Sequence, residues 1–367
     1  MSNFRILLTA DCHIGKNQYG SFERTQDFAA VLPQIVQIAK TEAVDLVVVA
    51  GDLADAYHIG AFSSKAIRIF ADDMNEAGIP MLIIEGNHEA PKLGQENRAV
   101  ARIDSLTDKV FRPSMATLFT HFNGKEIRLA AADWMPATKL PDFLDSLPSS
   151  LDILILHQSC EGFLPKVGHT ELKKAQLLNK ARVIGIGDLH ISKTQTLSDG
   201  SIIISPGSTE LCASDESTDK SVTIVDIGDK ISIRQVKLDT RMVVKFRISE
   251  EASLTDVDSQ LKVFVDSNPL VFLEYSSSIR PLVELKLVEW ENLGLTLIQS
   301  DMIVEINLND RFVATKDSAN AEMESIIAER LKDHPLEQDA SIALWKSPSA
   351  AEEIIQKLES QIRQQSL

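Results

Sequence analysis

Five apolar runs in the first 190 residues each end on an Asp, Asn or His cluster, and this feature limits the chain most. Phe4–Ala10 runs into Asp11-Cys12-His13, and Asp45–Ala50 into Gly51-Asp52. Pro80–Glu85 runs into Gly86-Asn87-His88, Leu151–Leu156 into His157, and Val183–Ile186 into Gly187-Asp188-Leu189-His190. Short continuous apolar runs read as strands buried on both faces. Between them, Phe22–Ala39 and Ala66–Ala77 carry apolar residues at helical spacing. Strands alternating with helices give sheet layers flanked by helices. In such folds functional groups collect beyond the carboxyl ends of strands, so the five ends should meet at one place. Taken singly, Asp52 reads as a turn residue and His157 as a satisfied core histidine. Taken together, so many buried Asp and His side chains are costly unless they are paired or bound to metal.

Carboxylate, imidazole and amide ligands in one set suit Mn, Fe or Zn better than Ca or Mg. Two such ions, about 3.5–4 Å apart, activate a shared water and clamp a phosphate for in-line attack. Asp52 suits a bridging role. His88, beside the set and not counted among its ligands, is the candidate proton donor to the leaving oxygen.

Further strands are expected at Ile127–Ala132 and Ser201–Ile204, followed by a hairpin of Ser221–Ile227 with Lys230–Leu238 around Gly228-Asp229. A second region begins near Arg241. There Met242–Ile248 alternates like a strand, and Ser253 with Asp256 resembles a helix capping pair. Pro281–Trp290 and Met302–Leu308 look like further strands. From about Asp317 the chain reads as two amphipathic helices. The first carries Met323, Ile326, Ile327 and Leu331 on one face and stops at Pro335. The second starts near Ser349 and carries Ile354, Ile355, Leu358 and Ile362.

The motifs DxH (Asp11–His13), GDxxD (Gly51–Asp55), GNHE (Gly86–Glu89), the lone His157 and GDLH (Gly187–His190) resemble those of the calcineurin-like metallophosphoesterases. They stand in that family's order. Ser205-Pro206-Gly207-Ser208-Thr209 is similar to the PGS segment of SbcD-type DNA repair nucleases, in their bacterial or phage form. The resemblance implies an α/β (α+β sandwich) fold of two packed sheets flanked by helices. It divides the chain into a nuclease domain (1–240), a small α/β capping, DNA-recognition domain (241–316) and a helical tail (317–367). It places one metal on Asp11, His13, Asp52 and His190, and the second on Asp52, Asn87, His157 and Asp188. His88 becomes the transition-state histidine, and Asp55 and Ser208 are expected to position DNA. The implied cofactors are two divalent ions, Mn first, with Mg, Fe or Zn as alternatives. The implied partners are DNA and an SbcC-like SMC-family coiled-coil ATPase bound through the C-terminal helices. A homodimer within a heterotetramer is expected, with Ala61–Met74 and Gln95–Leu106 as dimer surfaces.

One position departs from the family. GHxH is usual where this chain reads GDLH, so Asp188 replaces an imidazole with a carboxylate.

The net charge of −16 does not suit a chain that grips DNA unaided. It leaves local basic patches, metal ions or a partner to supply the grip. Three cysteines give no pairing framework, which fits a reducing cytoplasmic setting. The chain lacks an apolar stretch of membrane-spanning length and the basic start of a signal peptide.

Three functions follow. The first is a metal-dependent nuclease, a double-strand 3′-to-5′ exonuclease and single-strand endonuclease that processes DNA ends for repair or recombination. The second is a phosphodiesterase or phosphatase acting on nucleotides or other small molecules. The third is a non-catalytic scaffold, which the retention of every ligand-capable side chain disfavours.

Overall fold

The computed structural model describes residues 3–56, 58–90, 110–111, 117–122, 124–163, 170–276 and 278–301. In chain order the first part is β1 (Phe4–Thr9), α1 (Phe22–Thr41), β2 (Leu46–Ala50), α2 (Ala61–Glu76), β3 (Met81–Ile84) and the short β4 (Val110–Phe111). Then come β5 (Thr117–Phe122), β6 (Lys125–Ala131), α3 (Leu140–Ser146), β7 (Leu151–His157), α4 (Lys174–Leu177), β8 (Ala181–Gly187), β9 (Lys193–Thr196) and β10 (Ile202–Ser205). The hairpin β11 (Ser221–Ile227) and β12 (Ile231–Lys237) closes this part. A smaller unit follows: β13 (Val243–Ile248), α5 (Ala252–Phe264), β14 (Leu270–Tyr275), α6 (Arg280–Glu291) and β15 (Thr296–Asp301).

Two six-stranded sheets form the body, in the orders β12-β11-β1-β2-β3-β4 and β5-β6-β7-β8-β10-β9. Alternation along each strand decides what each face packs against. On β1 and β2, Ile6, Leu8, Leu46 and Val48 turn toward the second sheet and meet Ile153, Ile155 and Val183. Leu7, Val47 and Val49 turn the other way and pack on Leu32, Ile35, Ile67 and Phe70 of α1 and α2. The far face of the second sheet, with Leu154, Leu156, Ile184 and Ile186, is covered by Phe143, Leu144 and Leu177 of α3 and α4. The layers are therefore helix, sheet, sheet, helix, as expected from the sequence. Central strands buried on both faces explain why their runs are continuously apolar.

β1, β2 and β3 run parallel, as do β6, β7, β8 and β10. Each sheet therefore delivers several carboxyl ends to one edge. His157 at the end of β7 pairs with Gly187 at the end of β8, which fixes the register of two motifs directly.

The smaller unit is a parallel sheet of β13, β14 and β15 covered by α5 and α6. Leu211 packs with Leu270 and Phe272, and Arg241 bonds Glu23 and Asp27 of α1. Two expectations are corrected here. Pro281–Trp290 is helical, not a strand, and buries Val283, Leu287 and Trp290, spaced four and three residues apart on one face. The parallel strand after it is Thr296–Asp301. The cap of α5 is Glu251, with no side-chain capping bond, in place of the Ser253–Asp256 pair. The expected strand Met302–Leu308, the tail helices, the boundary at 316 and the Gln95–Leu106 surface lie outside the described residues. No helix among the described residues is long and apolar enough to cross a membrane.

Candidate metal centre

The loops that follow β1 and β2 are strapped to one another by main-chain bonds. The Asp11 amide donates to Gly51 O at 3.1 Å, the His13 amide to Asp52 O at 2.9 Å, and the Ile14 amide to Leu53 O at 2.9 Å. Side chains complete the strapping. Glu89 is buried and accepts from the amides of Ala54 (2.7 Å) and Gly86 (2.9 Å), joining the GDxxD and GNHE loops. Asp52 Oδ1 accepts from the His88 amide, and Asp11 Oδ1 from the Asp188 amide, both at 3.1 Å.

This strapping holds backbone that would not persist alone. Asp11, His13, Asp52 and Asp188 all have positive φ, between 46° and 75°. Such conformations cost about 1–3 kcal/mol each in non-glycine residues and persist only where surroundings over-determine them. Two glycines allow the closest approaches. Gly51 has φ of +88°, and a Cβ there would lie 2.1 Å from His157 Nδ1. A Cβ on Gly187 would lie 1.9 Å from Ala50 O and 2.5 Å from His157 Nδ1. The glycine before each aspartate therefore makes room for the histidine.

The seven expected ligand positions gather in one pocket. His157 Nδ1 donates to Ala50 O at 2.8 Å, which turns Nε2 inward. That nitrogen faces Asn87 Oδ1 at 3.1 Å, Asp52 Oδ2 at 3.6 Å and Asp188 Oδ1 at 3.9 Å. His190 Nδ1 donates to Glu216 Oε1 at 2.7 Å, so its Nε2 also turns inward and meets His13 Nε2 at 3.1 Å. His13 Nδ1 lies 3.0 Å from Asp55 Oδ1, close enough for an ion pair but not aligned as a hydrogen bond. Asp11 Oδ2 is buried with no hydrogen-bond partner. Acceptors thus face acceptors in a buried pocket, an arrangement that a proton or a cation must hold together.

Proton affinities follow from this. Burial opposes charge on His157, yet the attraction of the nearby Asp52 carboxylate prevails and carries its pKa to about 10. Burial likewise opposes charge on His190, but the nearby Cys212 and the Glu216 carboxylate bonded to its Nδ1 raise it to about 11. Asp52, although buried, is held at about 2 by His157, His13 and His88. Burial, with the nearby charge of Asp11, lifts Asp188 to about 6.

A divalent cation fits the same donors. Three sets of ligand atoms lie mutually within 4.8 Å: Asp11 with Asp52 and His157, His13 with Asp52 and His88, and His13 with His190 and Cys212. Asp52 belongs to two of these sets. Asp188 belongs to none of the three and reaches the pocket through His157 and Asp11.

His88 is the exposed member. Its Nδ1 donates to Asp55 O at 2.8 Å, and its Nε2 lies 3.9 Å from Asp52 Oδ2. The Asp55 carboxylate is engaged by His13 and by Lys16 at 3.2 Å, so it props the site from the rim. Ser208 is buried and bonded to Glu216 and Lys220. Sequence reasoning missed Glu89, Cys212 and Glu216 as members of the site. Glu89 closes the GNHE motif, and that position is the signal for it. Glu216 and Lys220, four residues apart in a polar loop, were the available signal for the third.

Stacked six-stranded sheets that bring Asp, Asn and His to one edge define an α/β metallohydrolase architecture. Residues 4–192 match the family model described as calcineurin-like phosphoesterase, just over half of the chain, and the chain belongs to that family. The fold implies divalent metal ions, and the clusters above are the candidate groups that hold them. Among curated proteins the chain is similar to the DNA double-strand break repair protein Mre11 of Sulfurisphaera tokodaii. Identity is 28% over 255 residues, covering 66% of this chain and 64% of the relative. The Mre11 of Haloferax volcanii is 27% identical over 289 residues, covering 74% of this chain and 60% of the relative. That of Methanococcus maripaludis is 22% identical over 369 residues, covering 92% and 93%. The chain therefore spans less than two thirds of the length of the first two.

Proposed function

We propose that this chain is a two-metal phosphodiesterase that cleaves DNA, the nuclease subunit of a complex with an SMC-type coiled-coil ATPase. The observation that carries this reading is the convergence of His13, His190, Asp52 and His157 on one pocket, with ring nitrogens facing acceptors. The likeness to Mre11 proteins supports DNA as the substrate. The reaction is double-strand 3′-to-5′ exonuclease and single-strand endonuclease cleavage, with Mn as the preferred ion, in the cytoplasm.

Asp11, His13, Asp52 and His190 would hold one ion, and Asp52, Asn87, His157 and Asp188 the other. Once bound, the ions supply the positive charge that polarises a phosphodiester and lowers the pKa of water. The protein does the rest. The Ala50 carbonyl and the Glu216 carboxylate hold the Nδ1 hydrogens of His157 and His190, so that each Nε2 faces the pocket and would offer its lone pair when an ion displaces the proton there. The Asp55 carbonyl fixes the His88 ring with Nε2 toward the site. In its protonated form His88 gives that proton to the leaving 3′ or 5′ oxygen, at an exposed position a nucleic-acid strand can reach. Phe22 and Phe62 stack edge to face and, with Ile69, stay exposed along α1 and α2, which supports dimer formation through that face.

The test is cleavage of end-labelled duplex DNA in Mn²⁺, with and without a coiled-coil ATPase partner, using His88→Ala as the control. Mn²⁺-dependent shortening lost in His88→Ala is expected. Intact DNA under both conditions, with a small phosphodiester hydrolysed instead, removes DNA as the substrate and leaves a small-molecule phosphodiesterase.

A further inference from the structure

We infer that Glu216 is a positioning residue for the metal centre, acting through His190 from a buried charge network on the far side of the ring. The inference rests on the reading of His190 as a metal ligand.

Glu216 touches four groups at once. Oε1 accepts from His190 Nδ1 at 2.7 Å. Oε2 accepts from Lys220 Nζ at 2.6 Å, from the Cys212 amide at 3.0 Å and from Ser208 Oγ at 3.2 Å. Lys220 is itself buried, 3% exposed, and also donates to Ser208 Oγ at 2.8 Å. A fully buried lysine is uncommon and needs a partner to stay charged. Here it fixes the carboxylate from one side while the imidazole fixes it from the other.

Geometry assigns the role. A ligating imidazole binds metal through one nitrogen, and the partner of the other nitrogen sets tautomer and ring orientation. With a carboxylate on Nδ1, His190 keeps a hydrogen there and turns Nε2 inward, toward His13 Nε2, where its lone pair becomes available when an ion displaces the second proton. The carboxylate also makes the ring a stronger donor. Ser208 lies in the PGS segment, so that segment serves this centre from within: its hydroxyl bridges Lys220 and Glu216.

A purely structural network predicts something different. Breaking Glu216–Lys220 would then lower stability and leave the affinity for metal unchanged in whatever remains folded. The experiment is Mn²⁺ titration of the metal-free full chain by calorimetry, with no nucleic acid present. The variants are Glu216→Gln, the double variant Glu216→Gln/Lys220→Met, and Ile224→Ala. Glu216→Gln keeps the shape and removes the charge. The double variant also removes the lysine that would otherwise be stranded. Ile224, buried in the core on β11, supplies a loss of stability unrelated to the site.

Glu216→Gln and the double variant should each bind one of the two ions about 10–100-fold more weakly. Ile224→Ala should bind both as the native chain does. Native affinity in Glu216→Gln, or recovery of affinity in the double variant, overturns the inference while leaving the phosphoesterase reading intact. A native chain that takes up no Mn²⁺ overturns both.

Discussion

Gly187→Ala is the sharpest perturbation the site offers, because a single methyl group strikes the bond that orients His157 and leaves every ligand side chain in the chain. Gly187 lies on β8 beside His157, outside the left-handed region, so the substitution costs contact and not backbone freedom. The added carbon would lie 1.9 Å from Ala50 O and 2.5 Å from His157 Nδ1, the two atoms of the 2.8 Å bond that orients the imidazole. Neither atom can yield easily, since one is the main chain of a central strand and the other a fully buried ring. Overpacking a core costs about 1–3 kcal/mol, and leaving a buried polar group unpaired costs a further ~1–3 kcal/mol. The expected loss of stability is therefore about 2–6 kcal/mol, together with weaker uptake of the ion that His157 would hold. Denaturant unfolding gives the first quantity and Mn²⁺ calorimetry the second. Native stability with native affinity in Gly187→Ala would show that His157 is not held as described, and the whole account of the pocket would fall with it.

Other predictions follow from the same structure. His88→Ala should lower phosphodiester hydrolysis by about 10²–10⁴-fold while leaving Mn²⁺ binding close to native, measured by steady-state kinetics beside calorimetry. Metal uptake should release protons. His157 and His190 titrate near 10 and 11 in the metal-free protein, above the ordinary value of 6.5, so both carry a proton at pH 7. Their raised values stabilise the metal-free fold fully below about pH 6.5, and that contribution is lost as pH rises through 10–11. Metal must displace these protons, so affinity should climb with pH from 6 to 9, with about two protons released at pH 7 when both ions bind, one from each histidine. Calorimetry in buffers of different ionisation enthalpy counts them, and a release of zero contradicts the assignment. Arg24→Met should destabilise the chain by about 3–5 kcal/mol, since it strips a buried cation from Glu210, which is itself buried. Denaturant unfolding checks this value. Asp188→His should keep the site loaded and shift its preference between Mn²⁺ and Mg²⁺, whereas full metal occupancy in Asp188→Ala would remove Asp188 from the ligand set.

Particular residues show what a sequence can and cannot carry. The strand ends were legible because Asp11, Asp52, Asn87, His157 and Asp188 interrupt runs that are otherwise continuously apolar, and parallel strands must deliver those ends together. The sandwich was legible for the same reason, since strands such as Leu46–Ala50 are buried on both faces. α6 was not. Its buried Val283, Leu287 and Trp290 follow helical spacing, but exposed Leu282, Leu285 and Val288 fill the gaps and imitate an extended apolar run. Glu216 was hidden for a different reason. It stands in a polar loop, and its meaning comes only from the ring and the lysine that tertiary structure sets on either side of it. Ser208 is a related case: its motif is visible in the sequence, but its burial against Glu216 and Lys220 is not.

The pocket around Asp52 is proposed to hold two divalent ions. Crystals grown with Mn²⁺ and measured at the manganese absorption edge test it most directly. Two anomalous peaks about 3.5–4 Å apart on either side of the Asp52 carboxylate are expected. A single peak remote from Asp52, or none in the pocket, would contradict it.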